Sequence, residues 1–156
     1  MHPEMYRVGM ETMKNLLMKA EANGIGEIPE MVGKWENVYS AVSVMMNRET
    51  PYHRDHNSPG EAMDLMATFG EYSGTCMSIL MLGKRFNYLP STIMAFSRYL
   101  LWHGVNAVDG NRGCLAYYMH PAVMEWVRVR PPSFMRYEVL EAVGQSKNSC
   151  RVYSVF

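Results

Sequence analysis

The chemistry of this chain is concentrated in five histidines and the charged residues near them. His53 and Asp55 form an H-x-D triplet directly after the link Asn47–Tyr52. In an extended segment residues two apart point to the same side, so an imidazole and a carboxylate at that spacing can converge on one ion. His103, ending the segment Leu100–His103, supplies a third ligand if that strand lies beside the first in a rolled sheet. Two imidazoles and one carboxylate on one face of an octahedron leave the other positions open, the arrangement in which Fe(II) binds a cosubstrate and O₂. Nine residues further on, Arg112 opens the next strand, where its guanidinium can pair bidentately with the far carboxylate of a 2-oxo diacid. Each piece also has a plainer reading. An H-x-D arises as a surface pair, and Arg112 can be one half of a salt bridge.

Such a site needs strands to carry it. From Glu4 to Ala22 the residues Met5, Val8, Met13, Leu16, Leu17 and Ala20 recur at three- and four-residue intervals, which predicts an amphipathic helix stopped by Asn23-Gly24. From Val38 to about Val129 the pattern changes to short β-branched and aromatic segments. Candidate strands are Val38–Met46, Ala62–Phe69, Met77–Leu82, Thr92–Phe96, Leu100–His103 and Cys114–Met119. Turn signals between them include Ser58-Pro59-Gly60, Ser73-Gly74, Leu82-Gly83, Leu89-Pro90-Ser91 and Asp109-Gly110-Asn111. The expected fold is mainly β with flanking helices: a double-stranded β-helix, or cupin-like jelly roll. A single domain is expected over 1–156, with helical support at 1–37, the β-helix core at 38–130 and a polar extension at 131–156 that either adds an edge strand or is partly disordered. Trp102, opposite in facing to His103, is expected in the core, and His56 in solvent beside the metal site.

Composition limits the function classes. At 156 residues and 48% hydrophobic content the chain can bury a sizeable core without a disulfide or metal staple. No apolar run reaches the ~18 residues of a membrane span, and the charged N-terminus is unlike a secretory signal. Three widely spaced cysteines, Cys76, Cys114 and Cys150, fit reduced thiols in an intracellular protein. Fifteen basic against fifteen acidic residues argue against a broad electrostatic grip on nucleic acid. If DNA is the partner, a local basic rim must hold it, for which Arg54, Arg128, Arg130 and Arg136 are the candidates.

The order H-x-D, several strands, His, then Arg on the following strand is that of Fe(II)/2-oxoglutarate dioxygenases. Within that class His53-Arg54-Asp55-His56-Asn57 resembles the H-R-D segment of the Tet/JBP family, which oxidises the methyl group of modified pyrimidines in nucleic acid. The run Arg112 to His120 is similar to that family's R-x-S-x-x-x-Y-x-H strand, Phe69–Gly74 to its G-x-Y-x-G-G turn, and Phe96–Val105 to the strand of its distal histidine. The likeness covers about Asn47 to Val129 and is strongest to compact fungal members. It implies that His53, Asp55 and His103 hold Fe(II) and form the catalytic centre, and that Arg112 pairs with 2-oxoglutarate. It sets Cys114 where the family has a serine that helps bind this cosubstrate. It implies that Tyr118 stacks on a flipped base, His120 hydrogen-bonds the base edge, and Asn57 adds a polar base contact. Oxidation of 5-methylcytosine in DNA, with O₂ as cosubstrate, by a monomeric nuclear enzyme is the resulting expectation. The alternative is a 2-oxoglutarate-dependent hydroxylase of a protein side chain or small metabolite.

Overall fold

The computed structural model describes residues 2–136. Helix α1 spans Pro3–Ala22. His2 caps it, with Pro3 and Glu4 in the first turn, and its stripe of Met5, Val8, Met13 and Ala20 is buried, as the periodicity predicts. Gly9 lets the helix approach the chain closely: a Cβ there would lie 2.5 Å from the Val38 carbonyl oxygen. A short helix α2 follows at Ile28–Lys34.

Eight strands then form two antiparallel sheets, the jelly roll expected from the strand spacing. They are β1 Ala41–Met46, β2 Thr50–His53, β3 Asp64–Ser73, β4 Cys76–Ile79, β5 Lys84–Asn87, β6 Ile93–Phe96, β7 His103–Val105 and β8 Asp109–Tyr118. The larger sheet has the order β1-β8-β3-β6 and the smaller β2-β7-β4-β5. Period-two alternation sends Met66, Cys114 and Ala116 inward to meet Met77, Ile79, Tyr88, Phe96 and Val105. Leu65 and Tyr117 point to the opposite face, where they pack with Met5 and Val8 of α1 and with Tyr39, Met119 and Met124. Helix α3, Pro121–Trp126, closes that second cluster.

Several local expectations are corrected. Thr50–His53 pairs with β7 and is a strand rather than a link, and Lys84–Asn87 is a further strand that the turn signal at Gly83 concealed. Leu100–Trp102 is a turn, because the Leu101 amide bonds to the Ser97 carbonyl at 3.1 Å, and the strand begins only at His103. Asp109-Gly110-Asn111 lies inside β8. Gly110, with φ +111°, and Gly70 in β3, with φ +114°, occupy backbone conformations that L side chains rarely adopt. A Cβ on either would fall 2.3 Å from the Glu71 oxygen or 2.1 Å from the Asn111 oxygen, so these glycines permit a close strand crossing. His120 is the N-cap of α3, with Pro121 in its first turn. Trp102 is 42% exposed, not in the core. Its neighbours along the chain form a turn, so strand alternation does not apply to it. Ser133 accepts a hydrogen bond from the His2 ring at 2.9 Å, returning the chain to the start of α1. The expected edge strand or disorder concerns residues that, from 137 on, lie outside the described residues.

Candidate metal and cosubstrate site

His53 and His103 are direct partners across the β2/β7 pair, which brings two residues fifty apart in sequence onto neighbouring strands. Their rings lie 4.4 Å apart between centroids. Each imidazole is oriented by the same local device. His53 Nδ1 sits 2.9 Å from the Pro51 carbonyl oxygen and His103 Nδ1 sits 2.9 Å from the Leu101 carbonyl oxygen. A carbonyl accepts only, so each Nδ1 carries the proton and each Nε2 keeps its lone pair free for a metal. Asp55 follows directly after β2. Its Oδ1 lies 3.5 Å from His53 Nε2 and its Oδ2 4.0 Å from His103 Nε2. One ligand atom from each of the three lies within 4.8 Å of the others, as the H-x-D…His spacing predicts for a shared ion. His103 is 3% exposed, and burial is the main cause that holds its imidazole below the usual histidine range, with the Leu101 carbonyl opposing. A neutral ring is the form a metal requires.

The two histidines of the triad open on a small cavity of about 40 Å³ between the sheets. His53, His103, Arg98, Thr50, Tyr88, Arg112 and Cys114 line it together with apolar Met45, Met66, Met77 and Val105. Arg112 is buried, and its guanidinium donates to the Arg48 carbonyl and lies over the Tyr88 ring, 5.8 Å from the centroid. Its main chain is locked by Asn47, whose Oδ1 accepts from the Arg112 amide at 2.7 Å while the Asn47 amide donates to the Arg112 carbonyl at 2.8 Å. Arg112 Nε is buried with no hydrogen-bond partner among the described residues. An orphaned guanidinium N–H is costly unless something accepts from it, and a carboxylate entering the cavity would do so. Cys114 lies on the same wall with Sγ 3.3 Å from the Tyr88 hydroxyl. Burial pushes both the thiol and the phenol upward, so each keeps its proton at neutral pH. The donor set fits a divalent cation beside a dicarboxylic cosubstrate.

The remaining candidates are dispersed around this centre. Tyr118 ends β8, half-buried, its ring 5.5 Å from the Arg98 guanidinium and 6.2 Å from the His120 ring. His120 accepts from the Ala122 amide at 3.2 Å through Nδ1, capping α3, and its own amide donates to Ser40 Oγ at 2.8 Å. Arg54 is exposed with its guanidinium 5.4 Å above the Trp102 ring, and Asn57 is exposed in the following turn. His56 meets solvent, as expected, edge-on to Tyr99. Arg128 lies with Asn15, Met18 and Lys19 in a depression that shares no lining residue with the cavity.

The sequence reading missed Arg98, Tyr88 and Thr50. An arginine two residues past a strand, or a tyrosine before Leu89-Pro90, carries no signal of burial. Only the pairing of Phe96 with Asp64 brings Arg98 beneath Asp55.

Among the described residues no helix is long and apolar enough to cross a membrane. No curated protein matches the chain. Among solved structures it resembles NgTET1 in complex with 5mC DNA, with 13% identity and a TM-score of 0.52, over 69% of this chain and 43% of that one. At that identity the likeness speaks to the fold, and this chain matches less than half the length of its neighbour. The family model of Tet/JBP, described as the oxygenase domain of the 2-oxoglutarate/Fe(II) dioxygenase (2OGFeDO) superfamily, matches residues 1–121. That match spans the helical cover, both sheets, the H-x-D…His cluster and Arg112, and the chain therefore belongs to the Tet/JBP oxygenase family.

Proposed function

We propose that this oxygenase acts on the methyl group of a modified base in DNA, converting 5-methylcytosine to 5-hydroxymethylcytosine and further products. The observation that carries the reading is one cavity joining His53 and His103 of the metal cluster to the buried Arg112 Nε, which has no partner among the described residues. Fe(II) held by the three ligands, with 2-oxoglutarate and O₂, supplies the oxidising chemistry for the methyl C–H bond. The protein's own residues do the rest. Arg112 binds the distal carboxylate of the cosubstrate, with the Tyr88 hydroxyl and the Cys114 thiol as neutral donors on the same wall. The Met45, Met66, Met77 and Val105 side chains keep water from that carboxylate and strengthen the pairing.

A base within a duplex hides its methyl group, so it must be flipped out at a cost of a few kcal/mol. Stacking on Tyr118 returns ~1–3 kcal/mol. His120 spends its Nδ1 lone pair on the Ala122 amide, which in the neutral ring leaves Nε2–H to donate to an acceptor on the base edge. Asn57 and Arg54 are exposed on the segment that carries the metal ligands, where Asn57 adds a polar contact to the base and Arg54 belongs to the basic rim that holds the DNA. The solved neighbour is in complex with 5mC DNA, which supports this substrate class. The same reading expects the chain in the nucleus.

The place of Arg128, in a depression that shares no lining residue with the cavity, favours a second reading, a hydroxylase of a protein side chain or small metabolite. One assay separates them. Protein incubated with 5-methylcytosine DNA, Fe(II) and 2-oxoglutarate is expected to yield hydroxymethyl, formyl and carboxyl bases by mass spectrometry. Succinate released with no oxidised base would refute the DNA reading and leave the hydroxylase.

A further inference from the structure

Arg98 is 7% exposed and is spent on two carboxylates, Asp55 and Asp64. Its Nη1 lies 2.5 Å from Asp55 Oδ2 and its Nε 2.9 Å from Asp64 Oδ2. Asp64 is fully buried and is itself held, Oδ1 accepting from Ser58 Oγ at 2.6 Å. The main chain repeats the grip, since the Asp55 amide donates to the Arg98 carbonyl at 3.0 Å. From this relay, Ser58 to Asp64 to Arg98 to Asp55, we infer that Arg98 is a positioning residue of the metal centre. It occupies Oδ2 of Asp55 and so presents Oδ1 alone to the ion. The inference rests on reading His53, Asp55 and His103 as the metal ligands.

The physical reason lies in the shape of guanidinium. It is planar and rigid, so anchoring Nε on Asp64 fixes the direction in which Nη1 points. The Tyr118 ring, 5.5 Å from the guanidinium carbon, packs against it and limits its tilt. Holding Oδ2 on the guanidinium turns that oxygen away from the ion and opposes chelation through both oxygens. That keeps a coordination position open, which an oxygenase needs for its cosubstrate and O₂. Lysine offers the same charge but no fork, and it cannot hold Asp55 and Asp64 at fixed relative angles.

Co(II) titrated anaerobically into the full chain tests this, read by calorimetry and by the visible absorption bands that report coordination number. Thermal melts check the fold of each variant. Arg98→Lys is expected to weaken Co(II) by about 10- to 100-fold, the usual cost of losing an outer contact to a ligand, and to alter the Co(II) spectrum. Asp64→Asn, which loosens Arg98 without touching Asp55, is expected to shift both readouts in the same direction by less. Should Arg98→Lys fail to fold, Asp64→Asn decides. Wild-type affinity and spectrum in a folded Arg98→Lys, with binding abolished in Asp55→Ala, would overturn the role of Arg98 alone. Binding that survives Asp55→Ala, or no binding by the wild type, would overturn the metal assignment and this role with it.

Discussion

His53 and His103 each turn Nδ1 toward a main-chain carbonyl two residues earlier, whereas His120 turns Nδ1 toward a main-chain amide two residues later. The side chain is the same and the ring nitrogen engaged is the same, but the partner has opposite polarity. A carbonyl makes Nδ1 a donor and leaves Nε2 with a lone pair. An amide makes Nδ1 an acceptor and leaves Nε2 with the proton. The first arrangement suits a metal ligand, and the second suits a donor to a polar substrate or a simple helix cap. His2 confirms the second pattern in a purely structural setting, since its Nδ1 caps α1 and its Nε2 contacts the Ser133 carbonyl. Local backbone polarity therefore decides what each histidine can do before any ligand arrives.

The strongest way to break this contrast is truncation on both sides of it. His53→Ala or His103→Ala should abolish Co(II) binding and lower succinate production by more than about 100-fold, beyond the cost of an outer contact. His120→Ala should leave Co(II) binding intact and slow succinate production by no more than about fivefold. Metal binding lost in His120→Ala, or retained without His103, would dissolve the distinction.

Next in size is the cosubstrate wall. Hydrogen bonds to charged groups are worth about 1.5–3 kcal/mol, so Arg112→Met should raise the KM for 2-oxoglutarate by about 10- to 150-fold with DNA affinity unchanged. An equal loss for both substrates would show that Arg112 supports the fold instead of the cosubstrate. On the base side, Tyr118→Ala should weaken productive DNA binding by about 5- to 150-fold, the equivalent of ~1–3 kcal/mol of stacking, while Tyr118→Phe keeps most of it. If Phe were as poor as Ala, stacking would not be the role of this ring.

His120 permits a finer separation. Asn is a good helix cap, so His120→Asn should melt like the wild type, whereas His120→Ala should lose about 0.5–2 kcal/mol. Both variants lack the Nε2–H donor and should oxidise the base about fivefold more slowly, the equivalent of ~1 kcal/mol. A normal rate in His120→Asn would reduce His120 to a cap.

The smallest effect is on pH. The folded pKa of His103 lies below its ordinary 6.5, so the folded state resists a proton that the unfolded chain accepts. In metal-free protein this contribution is fully present above about pH 6.5 and is lost as pH falls from there toward the folded value. Melting curves in chelator between pH 8 and pH 5 should show the decline, and His103→Gln should flatten it.

Much of the architecture was legible where periodicity was long. The stripe of α1 and the alternation in β3 and β8 need many residues in one pattern, and they survive in the structure, β3 running on to Ser73 and β8 starting as early as Asp109. Four short elements escaped: β2 and β5, whose Thr50-Pro51-Tyr52-His53 and Lys84-Arg85-Phe86-Asn87 lack the apolar run that marked β4 and β6, and α2 and α3, whose seven and six residues are too few for a helical period to show. The signal at Asp109-Gly110-Asn111 misled because glycine at positive φ serves a close strand crossing as well as a turn. Trp102 misled because alternation was extended across a turn.

By itself the sequence determined the identities and order of the residues that can do chemistry: H-x-D at 53–55, His103 and then Arg112. It also determined the two periodicities that require a helix lying against sheets. Only the tertiary structure decided that His53 faces His103 across a strand pair, that Arg112 keeps an unpaired N–H in their cavity, and that Arg98 reaches Asp55 from beside Asp64. The reason is physical. Residue type sets which bonds a side chain can make, while strand register and burial set which partner it meets and whether water competes for it.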